Sequence, residues 1–345
     1  MASGSTVTIT GGTNMTQVVS GDVIDDADFN NARTNVNNML GNAADVTLGT
    51  YTASSTYGYT QGGAGVNAAS AGGLVYADNA TGGFKRLQDD VQALCAFLGQ
   101  TVRSGVGSDV SSSTTITAST WSNLMLNIKD CWDNRFAPSS RTLSTIGTVT
   151  RTSAWNSTLT EETTFTFANE TTARGYFNGG GRIGFSSSRS GGSSTTQNTD
   201  WTNLLSAMGF VYITHNTAGG ASGTSAGKGF YELSTSYQQL WIKYGSGAYA
   251  SNFFKMEGKV NSTTNPTVVT LRATYSDPYT AAAAAAADGA VGPDGVPSTG
   301  DDASGYTDSI DGTLTLNARA QVPDANGSGF SFSAPTDSMG AISGS

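Results

Sequence analysis

The hydrophobic period of this chain changes once, near Ser140, and that change sets the order of the fold: helices first, strands after. Before it, apolar residues recur at spacings of three and four. Phe29, Ala32, Val36, Met39 and Leu40 make one stripe, with Asp25 and Asp26 as candidate N-caps and Gly41 as a stop. Phe84, Leu87, Val91, Leu94, Cys95 and Leu98 make a second, with Thr81 upstream and Gly99 behind it. Trp121, Leu124, Met125, Ile128, Cys131 and Trp132 make a third, capped by Thr117. Each stripe has one face to bury, so the three are expected to pack together.

Beyond Ser140 the alternation is that of half-buried strands. Phe165 and Phe167 alternate with Thr164 and Thr166; Phe254, Met256 and Val260 with Lys255, Glu257 and Lys259; Val269, Leu271, Ala273 and Tyr275 with Thr270, Arg272 and Thr274. Leu240, Ile242 and Tyr244 set against Trp241 and Lys243, and Leu314, Leu316, Ala318 and Ala320 set against Thr315, Asn317 and Arg319, extend the series. A short helix interrupts it, with Trp201, Leu204, Leu205 and Met208 behind a Thr199 or Asp200 cap and ahead of Gly209. The fold class expected is therefore α+β, mainly β. A short N-terminal helical module over 1–140 precedes an antiparallel β-sandwich over 141–345 with one short inserted helix.

Two stretches stand outside these periods. Residues 42–80 form a Gly-, Ala-, Ser- and Tyr-rich excursion. Residues 280–308 form an insertion in which seven alanines, Ala281 to Ala287, precede Asp288, Asp294, Asp301, Asp302 and Asp308; that alanine run is shorter than the ~12 residues an isolated helix needs. The first and third helices also share a register. At an offset of 92, Ile24 matches Ile116, Phe29 matches Trp121, Asn31 matches Asn123, Val36 matches Ile128 and Leu40 matches Trp132, the pattern of an internal repeat.

Composition removes several functions. Lys and Arg number 17 against 26 Asp and Glu, a net charge of -9, so no excess of cations exists to neutralise a phosphate backbone and nucleic acid is not an expected partner. No apolar run approaches the ~18 residues of a membrane span, and Met1 to Thr10 lack the basic start and apolar core of a secretory signal; a soluble chain kept in the compartment that makes it is expected. Two cysteines, Cys95 and Cys131, build no disulfide framework. The one histidine, His215, ends a strand-like run with no Gly-x-Ser-x-Gly elbow elsewhere to serve, and a zinc site needs several such ligands. Glu161 and Glu162 are adjacent on a strand and point to opposite faces, which bars them from flanking one bond as a glycosidase pair. Calcium is the one cofactor the aspartates at 288–308 bring to mind, yet no Asp-x-Asp-x-Asp-Gly loop is present and a solvated polar loop is the preferred reading. Sequons at Asn14, Asn79, Asn156, Asn169 and Asn261 follow from an Asn-, Ser- and Thr-rich chain. Gly179-Gly180-Gly181 precedes no helix and no Gly-Lys-Ser/Thr, so it is expected to be the tip of a β-hairpin with Tyr176 and Phe177 on one arm and Ile183 and Phe185 on the other.

The run Ala173-Arg174-Gly175-Tyr176-Phe177-Asn178-Gly179-Gly180-Gly181-Arg182-Ile183-Gly184-Phe185, followed by Thr199-Asp200-Trp201-Thr202-Asn203-Leu204-Leu205, resembles a pattern in structural proteins of tailed phages that infect marine cyanobacteria. Gly21-Asp22-Val23-Ile24 before Phe29-Asn30, Ile116-Thr117-Ala118 before Trp121, and Ile310-Asp311-Gly312-Thr313-Leu314 are similar to further pieces of those proteins. The resemblance implies a non-enzymatic virion component of the tail, neck or fibre region, an oligomer that contacts other virion proteins, and it transfers no catalytic residue. The residues expected to carry packing and assembly are Phe29, Val36, Leu87, Trp121, Ile128, Tyr176, Phe177, Asn178 and Trp201. A host-glycan-binding fibre module or a capsid decoration protein is the alternative, and a glycan-degrading enzyme the remaining competitor.

Overall fold

The computed structural model describes residues 4–42, 48, 50–51, 83–108, 115–279 and 309–344. The excursion expected over 42–80 lies almost wholly outside the described residues, as does the insertion at 280–308. The fold is α+β and mainly β, with antiparallel sheets. The chain divides into two compact units. The first combines Met1–Thr142 with two later segments, Thr171–Gly181 and Val322–Ser333; the second combines Leu143–Glu170, Arg182–Gln321 and Ala334–Ser345.

In the first unit the strand pair β1 (Thr6–Val7) and β2 (Met15–Thr16) precedes α1 (Asp26–Asn37), and β3 (Thr50–Tyr51) precedes α2 (Phe84–Leu98) and α3 (Ala118–Asp133). Asp25 caps α1 through a capping box: its Oδ1 accepts from Asp28 N (2.9 Å), and its own N–H donates to Asp28 Oδ2 (3.3 Å). Gly41 does not stop this helix, because a π-helical turn carries the chain on through Asn38–Asn42. Gly99 does end α2, in the left-handed conformation at φ +66°, and Thr117 caps α3 by accepting from Thr120 N. Phe29, Val36, Leu87, Trp121 and Ile128 meet in a single apolar core, joined by Phe330 from the late segment, whose ring lies 4.8 Å from that of Phe97. α2 departs from the one-faced pattern. Arg86, Gln88, Asp89 and Asp90 are as buried as its leucines, with Lys85 and Asp89 paired at 3.0 Å and Arg86 and Asp90 at 3.6 Å along one turn.

The expected hairpin at residues 174–185 is a helix followed by a strand. Ala173, Tyr176 and Phe177 stand at i, i+3 and i+4, and they line the buried side of α4 (Glu170–Asn178). The three glycines close that helix: Gly180 sits at φ +86°, Gly181 N donates to Tyr176 O (2.8 Å) and Gly180 N to Phe177 O (3.0 Å), the bond pair of a Schellman cap. Asn-Gly-Gly-Gly suits a hairpin tip and a helix end equally, and helical spacing of the apolar residues decides between them.

The second unit holds two larger sheets. One has the order β15 (Thr336–Met339), β5 (Thr158–Thr166), β12 (Val268–Ser276), β11 (Phe253–Val260), β10 (Gln238–Tyr244), β9 (Thr224–Ser225). The other has the order β4 (Arg141–Arg151), β13 (Thr313–Pro323), β6 (Arg182–Ser190), β7 (Val211–Ile213), β8 (Ala218–Gly219). β14 (Phe330–Ser331) pairs with β3 instead. Side chains of the two larger sheets meet: Ser187 Oγ lies 2.8 Å from Tyr275 OH, and the rings of Phe165 and Phe185 are 6.3 Å apart. α5 (Thr196–Met208) begins one turn earlier than expected, with Thr195 as its cap, and buries Trp201 against Trp155 at 4.8 Å. The alternation read through β10 breaks at a bulge between Gln239 and Trp241. There Leu240 and Trp241 are both buried, so the indole that strict alternation turns outward points in.

The 92-residue register reappears in three dimensions. Asp25 and Thr117, the two N-caps, are 92 apart, and so are Asn35 and Asn127, both fully buried. Asn35 Nδ2 donates to Thr13 O (2.7 Å) while Thr13 N donates to Asn35 Oδ1 (2.9 Å); Asn127 Nδ2 donates to Thr101 O (2.8 Å) while Arg103 N donates to Asn127 Oδ1 (2.9 Å). Each amide ties a helix to an irregular strand of backbone that has no ladder of its own. Replacing either asparagine with Ala removes both bonds and leaves the half-buried N–H of Thr13 or Arg103, and the carbonyl of Thr13 or Thr101, without its side-chain partner. Each variant should lose about 2 to 4 kcal/mol in chemical denaturation, from ~1 to 3 kcal/mol per orphaned group with partial relief by water. Unchanged midpoints in both would show that the two clasps contribute nothing.

Candidate functional site

The sequence-selected residues do not form one site. Phe29, Val36, Leu87, Trp121 and Ile128 are core; Tyr176 and Phe177 pack edge to face at 5.4 Å on α4, whose last residue is the buried Asn178; Trp201 belongs to the aromatic cluster of Trp155 and Tyr275 in the second unit. All of them are interior. Among the described residues no three His, Cys, Asp or Glu side chains converge as a metal-ligand set. His215 is half-buried, and its carbonyl accepts from Tyr231 N (3.0 Å).

The acidic residues of the recognisable motifs hold loops. Asp311 accepts from Arg189 Nη2 (3.1 Å), Ser193 N (3.0 Å) and Asn198 Nδ2. Burial alone raises its pKa, but the bonds from Ser193 and Asn198, with the Arg189 charge, outweigh burial and hold it below the usual carboxylate range. Asp200 accepts from Ser246 N (3.0 Å). With its amide oriented to suit both neighbours, Asn252 accepts from Trp201 Nε1 (3.1 Å) and donates to Asp277 (3.0 Å). Asn198 and Asn252 carried no signal of their own in the sequence, because asparagine in a Ser/Thr/Asn-rich chain reads as loop. Asn35 and Asn127 were missed as well, although the 92-residue offset that matches Asn31 with Asn123 also relates them.

The surface is where the two sheets differ. On the first, Glu162 pairs with Arg272 (2.7 Å), Lys255 with Glu257 (3.1 Å), and Arg272 and Lys259 lie over the ring of Tyr237 at 3.6 and 4.4 Å. On the second, the register opposes Thr313 to Ser190, Thr315 to Ser188 and Asn317 to Ser186, and Thr148 of β4 donates to Asn317 Oδ1 (2.8 Å). Arg319 on that face donates to Ser186 Oγ (3.3 Å), and Arg182 lies over Tyr212 at 4.3 Å. This face is lined with hydroxyls and amides. Gly184 sits on it because a Cβ there would collide with the Val211 carbonyl across the ladder. A groove of about 560 Å³ in the first unit is walled by Val18–Asp22 and Ile24 on one side and Thr115–Ser119 on the other, bringing the register mates Ile24 and Ile116 to one place; Val19 and Val23 stand beside it 52% and 71% exposed. No family model, curated protein or solved structure matches this chain.

Glu161 and Glu162 separate as alternation requires. Glu161 is buried, its carboxylate accepting from Thr163 Oγ1 (2.9 Å) and Gly340 N (3.0 Å), and burial pushes its pKa up to about 7 against the lowering effect of those two bonds. The folded state therefore holds a proton that the unfolded chain releases near 4.5. The contribution to stability is complete below about pH 4.5 and is lost as pH rises through about 7. The Glu161→Gln variant keeps the shape without the charge, so its Tm should exceed that of the wild type at pH 8, with the gap closing by pH 4.5. A gap of equal size at both pH values would rule out titration of Glu161 as its source.

Proposed function

We propose that this chain is a non-enzymatic structural component of a tailed-phage virion, in the tail, neck or fibre region, and that it works as a homo-oligomer in contact with other virion proteins. The observation that carries this reading is the contrast between the two sheets of the second unit. A protein with only 12% charged residues places a cluster of mutually paired ions on one sheet, while the outward side chains of the other are mostly Thr, Ser and Asn, with Arg182 and Arg319 among them. Charged groups keep a face in water, whereas hydroxyls and amides release water and re-form their hydrogen bonds against a neighbour at low desolvation cost. The resemblance of the 173–185 and 199–205 runs to phage structural proteins supports the same reading. The motif residues support it in kind, since Asp200, Trp201 and Asp311 are spent on fixing loops and helix ends.

Mass spectrometry of purified particles tests the setting: the chain is expected in fixed stoichiometry with the other structural proteins, and its removal by a mild wash overturns the assignment. Sedimentation of the purified protein tests the contacts. Because screening shrinks from about 10 Å at 0.1 M salt to about 3 Å at 1 M, an assembly held by hydroxyl, amide and apolar contacts should keep its sedimentation coefficient across that range. A species that remains monomeric at high protein concentration, or an oligomer that dissociates in moderate salt, counts against self-assembly through this face and turns attention to a solitary glycan-binding module.

A further inference from the structure

Of the four edges of the two larger sheets, three are short: β15 has four residues, and β8 and β9 have two each. Proteins that remain solitary blunt their edges in this way, or with charge, proline or a bulge. β4 is neither short nor interrupted by proline, and its own charges are the terminal Arg141 and Arg151. It runs for eleven residues, against a usual five or six, and pairs among the described residues with β13 alone. Between Thr142 and Thr150 it holds no charged residue and no proline, and Leu143 is exposed.

The sequence of this strand reads nearly the same in both directions about Ile146. In Arg-Thr-Leu-Ser-Thr-Ile-Gly-Thr-Val-Thr-Arg, positions equidistant from the centre are Thr145 and Gly147, Ser144 and Thr148, Leu143 and Val149, Thr142 and Thr150, Arg141 and Arg151. We propose that β4 is the interface with a second copy of this chain, the two strands pairing antiparallel about a twofold axis at Ile146. This inference rests on the reading of the chain as a self-assembling protein and names the surface used. In an isologous interface each residue meets its symmetry mate, so a strand that pairs with itself is best served by a palindrome. Here the pairing sets Leu143 against Val149 of the second copy, Ser144 against Thr148, and Ile146 against Ile146, apolar on β-branched and hydroxyl on hydroxyl, the cross-strand combinations that stabilise a ladder. An antiparallel pairing keeps each residue on its own side of the sheet. Thr148 and its mates therefore continue the hydroxyl-lined face across the axis, and two five-stranded sheets become one of ten. The arginines at the ends bound the pairing: Arg141 donates to Gly180 O (2.7 Å), and Arg151 donates to Ser153 O (3.2 Å) and Ile342 O (3.3 Å), so each guanidinium is turned to its own chain.

Two sets of variants of the full chain test this. In the first, Ile146→Lys and Ile146→Glu put like charges opposite each other across the axis, and each alone should lose the dimer at concentrations where the wild type forms it; the equimolar mixture should recover it as a heterodimer. In the second, diamide oxidation should join Ile146→Cys chains across the axis and leave Thr150→Cys chains unjoined, because symmetry mates at 150 stand eight residues apart along the ladder, about 27 Å. Circular dichroism checks that the charged variants fold, and if they do not, the cysteine pair decides alone. Wild-type oligomers that persist in both charged variants, or equal cross-linking at 146 and 150, overturn the β4 interface and leave oligomeric assembly standing. A wild type monomeric at every concentration overturns both.

Discussion

A polar group withdrawn from water must find a partner inside, and in this chain the partner is most often backbone that belongs to no helix or sheet. Asn35 and Asn127 clasp irregular segments beside α1 and α3. The indole N–H groups of Trp121 and Trp132 donate to Thr16 O and Thr10 O, fastening the N-terminal strand pair to α3, and Asn198 donates to both Ser193 O and Asp311. All but the Asn198–Ser193 bond span more than twenty residues of sequence, and each is directional. In a chain with no disulfide and few ions they fix where the long connections lie, which apolar contact alone, having no direction, leaves undetermined.

The period of the apolar residues is legible wherever packing alone dictates structure. The strands β11, β12 and β13 alternate as their sequences do, and α3 occupies the span its stripe and its Thr117 cap define. Sequence misleads where a second force acts on the same residues. The Gly179 to Gly181 run meets the needs of a hairpin tip and of a Schellman cap alike, and only the i, i+3, i+4 placement of Ala173, Tyr176 and Phe177 separates them. At β10 the bulge after Gln239 costs one ladder position and lets Trp241 join Phe254 in the interior, so burial of a large ring overrides alternation. The polar side of α2 is buried with its ion pairs at i, i+4, a state that composition forbids unless partners are supplied.

The candidate assembly surface was legible in a different way. No motif marks it, because hydroxyls and amides are the background of this composition. Its outline depends on which strands are neighbours: the pairing of β13 with β6 brings Thr313, Thr315 and Asn317 opposite three serines, and only then does a scattered Ser/Thr excess become a continuous face. The residues selected from sequence for packing and assembly are apolar or aromatic except Asn178, and the fold uses all of them in its interior. Large apolar residues lower the free energy of the monomer first; what remains for association is the surface left over.

That division bears on why a long edge and a face rich in hydroxyls and amides belong to the same sheet. A sheet edge offers unpaired N–H and C=O groups in fixed spacing, and every solvated charge beside it raises the cost of bringing a second strand close. β4 lies next to β13, whose half-buried outward side chains are Thr313, Thr315, Asn317, Arg319 and Gln321, four of the five uncharged, and the nearby carboxylate of Asp324 accepts from Thr142 of β4 itself. The ion pairs of Glu162 with Arg272 and of Lys255 with Glu257 sit on the other sheet, whose terminal strands have four and two residues. The sheet with short edges thus carries mutually paired ions, and the sheet with the long edge carries Arg182 and Arg319 among outward hydroxyls and amides.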